Sequence, residues 1–268
     1  MNKEDLQRIV FRYLKKIRKY IKQIQPDFDE ELIHQFRVNY KKLRAFLRIL
    51  SAANNNRNTG LSRKIKRAYH IAGSIRDLKL QKKRVLNATK GHYRRPLEYT
   101  SLIQRKVRNF EKELLPILSK KPLRKSRKKI MTILPRSYHP ADYARFSEQK
   151  YRAFKTMLLG NISDNQMHSV RKILKDLFFS NRNIGKWTGW RSEPWKIKSD
   201  TNLNNLLEEL GDFQDRRTAI SLLTADWISM LTARERKFMT DLRSEWIQEK
   251  LIMKRRLIRK LKADIISE

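Results

Sequence analysis

Residues 34–48 read HQFRVNYKKLRAFLR. At the advance of roughly 100° per residue of an α-helix, His34, Arg37, Lys41, Arg44 and Arg48 fall on one narrow arc. The opposite arc collects Leu32, Phe36, Tyr40, Leu43, Leu47 and Leu50. One face is suited to burial. The other stacks nitrogen donors with no carboxylate among them. Like charges one turn apart repel, so a helix that needed only solubility would mix its signs. An anionic partner is the natural complement.

The pattern returns once. His168, Arg171 and Lys175 stand 134 residues beyond His34, Arg37 and Lys41, and Lys172 adds a further cation beside that arc. Val170, Ile173, Leu174 and Leu177 supply the apolar back. A chain this rich in Lys and Arg produces single spacings by chance. Two, each opening an amphipathic helix, indicate a duplicated unit.

Around these helices the composition is that of an all-α protein. Seven Gly and seven Pro in 268 residues leave long runs of good helix formers, and alternating β-branched and polar runs are nearly absent. The chain is long enough to bury a sizeable core. With no cysteine, disulfides and thiolate metal sites are excluded. No N-terminal stretch resembles a signal peptide and no apolar run is long enough to span a bilayer, so a soluble, cytoplasmic protein is expected. The net charge of +36 calls for a polyanionic partner: nucleic acid, an anionic membrane surface or a phosphate polymer. The charge is uneven. Residues 200–250 hold 10 acidic and 7 basic residues, a net of −3, so the remainder carries +39.

Along the chain, a basic amphipathic helix is predicted over 5–24, ending before Pro26. Asp27 with Glu30 is the expected cap of the His34 helix, which should end near Ser51 ahead of an Asn-rich loop reaching Gly60. Helices follow from about 61 into the eighties and over 98–118, 123–134 and 142–159, with Pro135 and Pro140 separating two halves. Ser163 and Gln166 form a capping box for the His168 helix, expected to reach about 179. Trp187, Trp190 and Trp195 fall in an expected ordered loop, and helices are predicted over 203–229 and 232–265.

With both His helices and both following Gly-Asp helices in view, the chain resembles the CHAD family over nearly its whole length. HQFRVNYKKLR (34–44) resembles the first signature and AGSIRD (72–77) the Leu-Gly-x-x-Arg-Asp element; HSVRKILK (168–175) and LGDFQD (210–215) take the matching places. The resemblance implies one antiparallel helical bundle over 1–268, with repeat one about 1–134 and repeat two about 141–268. It further implies two pseudo-symmetric halves around a central basic groove or pore that binds inorganic polyphosphate, and an association with polyphosphate granules. By this carry-over His34, Arg37, Lys41, Arg44, His168, Arg171, Lys172 and Lys175 are binding residues, with Arg76 a secondary candidate; Arg48 joins them from the arc. The chain departs from the family pattern in three places: Ala72 replaces a usual Leu, Phe178 a usual basic residue, and Gln214 the usual Arg before Asp215.

The chemistry fits such a ligand. A phosphate polymer carries regular charge and no bases, so it needs spaced donors on rigid elements; Arg offers a fork to phosphate oxygens and Lys a point charge. Bound phosphate would favour the protonated form of each opening histidine. The competing reading of each face is plain solvated charge. A metal site is disfavoured because the neighbours of His34 and His168 are cations; His70, His92 and His139 read as incidental. The alternative function is general polyanion or nucleic-acid binding, with nucleic acid at least a nonspecific competitor, although no helix-turn-helix, zinc-finger or RNP signature occurs. An anionic membrane surface is the other reading of the basic C-terminal helix, but Leu251, Ile252, Leu257, Ile258 and Leu261 read first as a core face. Catalysis is not expected and no cofactor is implied. No Gly-x-x-x-x-Gly-Lys loop exists, and Glu111 and Glu113 are followed by Leu115, where a triphosphate-tunnel strand would need Lys. Asp77, Asp212 and Asp215 read as partners that orient arginines.

Overall fold

The structure, a computed structural model, describes residues 1–53, 59–89, 95–181, 184 and 200–266. These form ten helices and no strand: α1 (Lys3–Ile24), α2 (Glu30–Ala53), α3 (Arg63–Ala88), α4 (Leu97–Ser119), α5 (Arg124–Ile133), α6 (Pro140–Leu158), α7 (Asp164–Ser180), α8 (Asp200–Ser221), α9 (Ala225–Ser229) and α10 (Ala233–Ile266). The expected loops at 54–58 and around Trp187, Trp190 and Trp195, and His92, lie outside the described residues.

Local signals set most boundaries. Asn2 closes a capping box with Asp5 at the head of α1, and Ser163 does the same with Gln166 at the head of α7. Two expectations need correction. The cap of α2 is Asp29, whose Oδ1 accepts from Leu32 N at 2.8 Å, while Asp27 only braces Asp29 N at 3.2 Å. Phe28 turns the chain at φ 53° and buries its ring, which delays the helix start by two residues. The single helix expected over 203–229 is two. Thr224 accepts from Trp227 N at 3.3 Å and starts α9, and the bend sends Leu223, Ile228 and Leu231 into the core.

Two hydrophobic clusters result. The larger joins α1–α5 and the start of α6 to Ala219, Leu223, Met239, Leu242 and Trp246; the smaller gathers Phe154, Val170, Leu174, Leu210, Phe213, Leu257 and Leu261. Each fully buried Leu, Ile or Phe contributes about 1.5–3 kcal/mol relative to exposure. α10 reaches both clusters. At its start, Glu98 Oε2 accepts from Thr232 N at 2.7 Å, while Glu235 accepts from Glu98 N and Tyr99 N, so the heads of α4 and α10 cap each other. α2 packs on α1, α3, α6 and α7, and α7 packs on α6 and α8. The two helices carrying the basic arcs are therefore neighbours.

Candidate anion-binding site

The arcs of α2 and α7 come together where those helices pack. Lys41 lies close to Lys175 and Arg171 of α7 and to Arg37 and Arg76. Burial first, and then these cations, pull its ammonium down to about 7. Lys175 is lowered to about 8, by burial and then by Arg171, against the opposing pull of Asp215. Residues from α2, α3, α7 and α8 thus share one half-buried cluster.

Arg37 is held on three sides. Its Nη1 donates to the Tyr69 carbonyl at 3.1 Å, and its Cζ stands 4.8 Å from the centroid of the Tyr69 ring. The third side is Gly73, where a Cβ would stand 2.8 Å from Arg37 Cζ and closer still to Nη1. Glycine within a helix costs about 1 kcal/mol relative to alanine, and here the guanidinium occupies the space saved. Gly211 stands in the same relation to Arg171 with more clearance, a Cβ there lying 3.2 Å from Nη2. Tyr69 stacks on Tyr40 at 4.3 Å, and Arg44 Cζ lies 5.6 and 5.8 Å from the centroids of Tyr69 and Tyr40. The two tyrosines form a floor beneath two arginines.

Carboxylates lie at the edge. Burial raises the Asp77 pKa, eased by Arg37 and Arg76 and reinforced by Asp215, so the two aspartates of α3 and α8 are near each other. Asp215 Oδ2 accepts from Arg84 Nη2 at 3.2 Å. The arginine missing before Asp215 in sequence is replaced by one from α3. Burial lowers the Arg171 pKa even though Asp215 and Asp212 act to raise it. The buried Nε atoms of Arg44, Arg76 and Arg171 have no hydrogen-bond partner. An unsatisfied buried donor costs about 1–3 kcal/mol, which adds to the cost of crowding these cations.

The remaining predicted residues fall around this centre. Arg48 does meet a carboxylate, unlike the bare arc read from sequence: it pairs with Asp176 of α7, which also lies 3.6 Å from Lys150 Nζ. The Asp176 side chain is 6% exposed, and burial raises its pKa against the pull of both cations. Arg48 therefore ties α2 to α7. His34 and His168 are half-buried, and burial lowers both pKa values, helped chiefly by Arg76 and Lys172 respectively. Lys172 is exposed. His70 meets Tyr69 edge-on, and His139 lies at the head of α6, its N–H donating to Asp142 at 3.2 Å. Sequence reasoning missed Tyr40, Tyr69 and Arg84 as site residues. The glycines of AGSIRD and LGDFQD were the available signal, because a mid-helix glycine needs a packing reason.

Three of the six cations in the C-terminal basic run are paired within the fold. Lys254 pairs with Asp164 at 2.9 Å, and Arg256 and Lys260 with Glu209 at 3.6 and 2.5 Å. Leu257 and Leu261 are buried as expected, but Leu251 and Ile252 face solvent at 38% and 65%. Among the described residues no helix is long and apolar enough to cross a membrane, and no three His, Asp or Glu side chains group as metal ligands.

Comparison with known proteins bears on the fold. Residues 8–224 match the family model described as the CHAD domain. The crystal structure of the CHAD domain from the plant Ricinus communis is similar to the whole chain and to 92% of its own, with a TM-score of 0.76 at 17% identity. No curated protein matches the chain.

Proposed function

The chain belongs to the CHAD domain family, and from that premise and the geometry above we propose that it binds inorganic polyphosphate without turning it over. The family is linked to polyphosphate in general terms. What supports the reading in this chain is the meeting of Arg37, Lys41, Arg76, Arg171 and Lys175 from three helices in one half-buried cluster. Forcing like charges together out of water is unfavourable, and a linear polyanion relieves it along its length. In this proposal repeat one (about 1–134) and repeat two (about 141–268) each line one side of a shared groove. Arg37, Arg44 and Arg171 fork to phosphate oxygens, while Lys41 and Lys175 act as point charges between them. Arg76, His34 and His168 extend the contacts, and Lys172 adds charge at the mouth. The carboxylates steady arginines and take no part in chemistry. The protein would accompany polyphosphate granules in the cytoplasm.

Affinities measured one ligand at a time at near-physiological salt test this. Long-chain polyphosphate should bind more tightly than duplex DNA or RNA at equal charge concentration. With a divalent metal added, the protein should release no phosphate and transfer none to nucleotide. Stronger binding of duplex than of polyphosphate would remove the functional reading. Turnover lost on replacing Asp77 or Asp215 would remove the non-catalytic one.

A further inference from the structure

The proposed groove accounts for only part of the charge. Between Arg8 and Gln25 the chain has seven cations and no carboxylate, and between Lys120 and Lys129 another seven and none. All fourteen are exposed. Of these, only Arg8 has an ion pair among the described residues, with Asp5 at 3.7 Å. The contrast with the C-terminal run is sharp, since Asp164 and Glu209 there take up Lys254, Arg256 and Lys260.

The two segments form one surface. Arg127 of α5 lies over the Phe11 ring of α1, its Cζ 5.0 Å from the centroid. Met1 exchanges backbone hydrogen bonds with Tyr138, at 3.0 and 2.9 Å. Residue 138 therefore lies by residue 1, and the Arg127 side chain reaches residue 11, so the head of α5 stands beside α1. The apolar side of α1, including Leu6, Val10, Leu14 and Ile17, is buried in the core. Opposite it, Arg8, Arg12, Lys15, Lys19 and Lys22 lie within an arc of about 80° and extend about 21 Å along the helix axis.

We propose that the joined outer faces of α1 and α5 form a second anion-binding surface, separate from the α2–α7 cluster, that binds double-stranded nucleic acid without sequence preference. Long, unpaired cations on two rigid helices suit backbone phosphates, and phosphate contacts position a duplex without reading it. Single strands need aromatic platforms for their bases; here Phe11 is under Arg127 and Tyr13 is buried. A membrane-surface helix sinks its apolar side into lipid, and that side of α1 is already covered by the protein. The surface stands independently of the polyphosphate reading.

The test uses the full chain and a labelled random-sequence DNA or RNA duplex of about 20 base pairs, with affinity measured over a series of salt concentrations. Lys15→Glu/Lys19→Glu/Lys128→Glu should weaken duplex binding more than tenfold and flatten the logarithmic salt slope by about two to three. Arg234→Glu/Lys237→Glu/Arg243→Glu, which makes the same change in charge on exposed α10 positions, should stay within about threefold of wild type. Circular dichroism checks that both variants fold. Equal weakening by both triples would mean attraction to net charge alone and overturn the surface. Unchanged duplex affinity in the α1–α5 variant would overturn it as well. Displacement of duplex by anionic phospholipid vesicles at equal charge concentration would assign the face to membrane and overturn the nucleic-acid reading.

Discussion

On the α2–α3 side of the cluster, Arg37 lies on the Tyr69 ring, bonded to the Tyr69 carbonyl and seated against Gly73, with Arg44 over the same tyrosines. On the α7–α8 side, Arg171 has looser clearance over Gly211 and is flanked by Asp215 and Asp212. The position 134 residues beyond Arg44 is Phe178, buried in the smaller core at 6% exposure. One motif is thus supported in two ways. A ring steadies a cation without cancelling its field, whereas a carboxylate cancels part of it; Arg37 has one carboxylate near it, Asp77, against two near Arg171. The α2–α3 side should supply more of the attraction for an anion.

Reversal of charge gives the largest effect. Arg37→Glu/Lys41→Glu should weaken polyphosphate binding about a hundredfold or more, since each charge-assisted contact contributes about 1.5–3 kcal/mol. Arg171→Glu/Lys175→Glu should cost nearer tenfold, because Asp215 and Asp212 have already discounted those charges. Equal losses by calorimetry would break the comparison.

Glycine substitution is the next step down. Gly73→Ala should leave the helix folded, because the obstructing atoms are the far end of a flexible side chain, but it pushes Arg37 off its seat. A loss of about tenfold corresponds to one misplaced charge-assisted bond. Gly211→Ala should cost less than about threefold. Reversed order would show that clearance does not govern the grip.

The effect of pH is smaller and has two signs. Lys41 at about 7 and Lys175 at about 8 lie below their ordinary values, and bound polyanion restores the charged form. Binding therefore takes up protons, and affinity should fall a few-fold as pH rises from about 7 to 9. The free protein should respond oppositely. In that window the unfolded chain binds more protons than the folded one, so the melting temperature should rise with pH. Parallel trends would contradict the assignment of these two lysines.

Arg48→Ala should change affinity least, by less than about threefold. Its consequence is stability, because Asp176 loses its main partner while buried; a drop of a few degrees in melting temperature is expected.

Periodicity sufficed for most of the helices, and the duplicated His-Arg-Lys spacing picked out two that the fold packs together. Ser163 and Gln166 marked the start of α7 because a capping box is a local device. Asp29 was hidden behind Asp27, since choosing between them requires the left-handed turn at Phe28. The break at Thr224 was hidden because Leu222 and Leu223 continue a helical pattern that the core overrides. The partners Arg48–Asp176 and Arg84–Asp215 lie 128 and 131 residues apart, and no local pattern encodes such pairs. Tyr69 was legible as an apolar helix position, but not as the floor beneath Arg37.

The central claim is that the two arcs act on one polymer as a single site. The direct measurement is calorimetric titration of long-chain polyphosphate, at near-physiological salt, into wild type, Lys41→Glu/Lys175→Glu and Arg255→Glu/Arg256→Glu. The lysine pair should lose affinity by about a hundredfold or more, while the tail pair, adding only screened long-range attraction, should stay within about threefold. Equal losses in the two variants, in proportion to charge alone, would contradict the account and leave a generic polyanion binder.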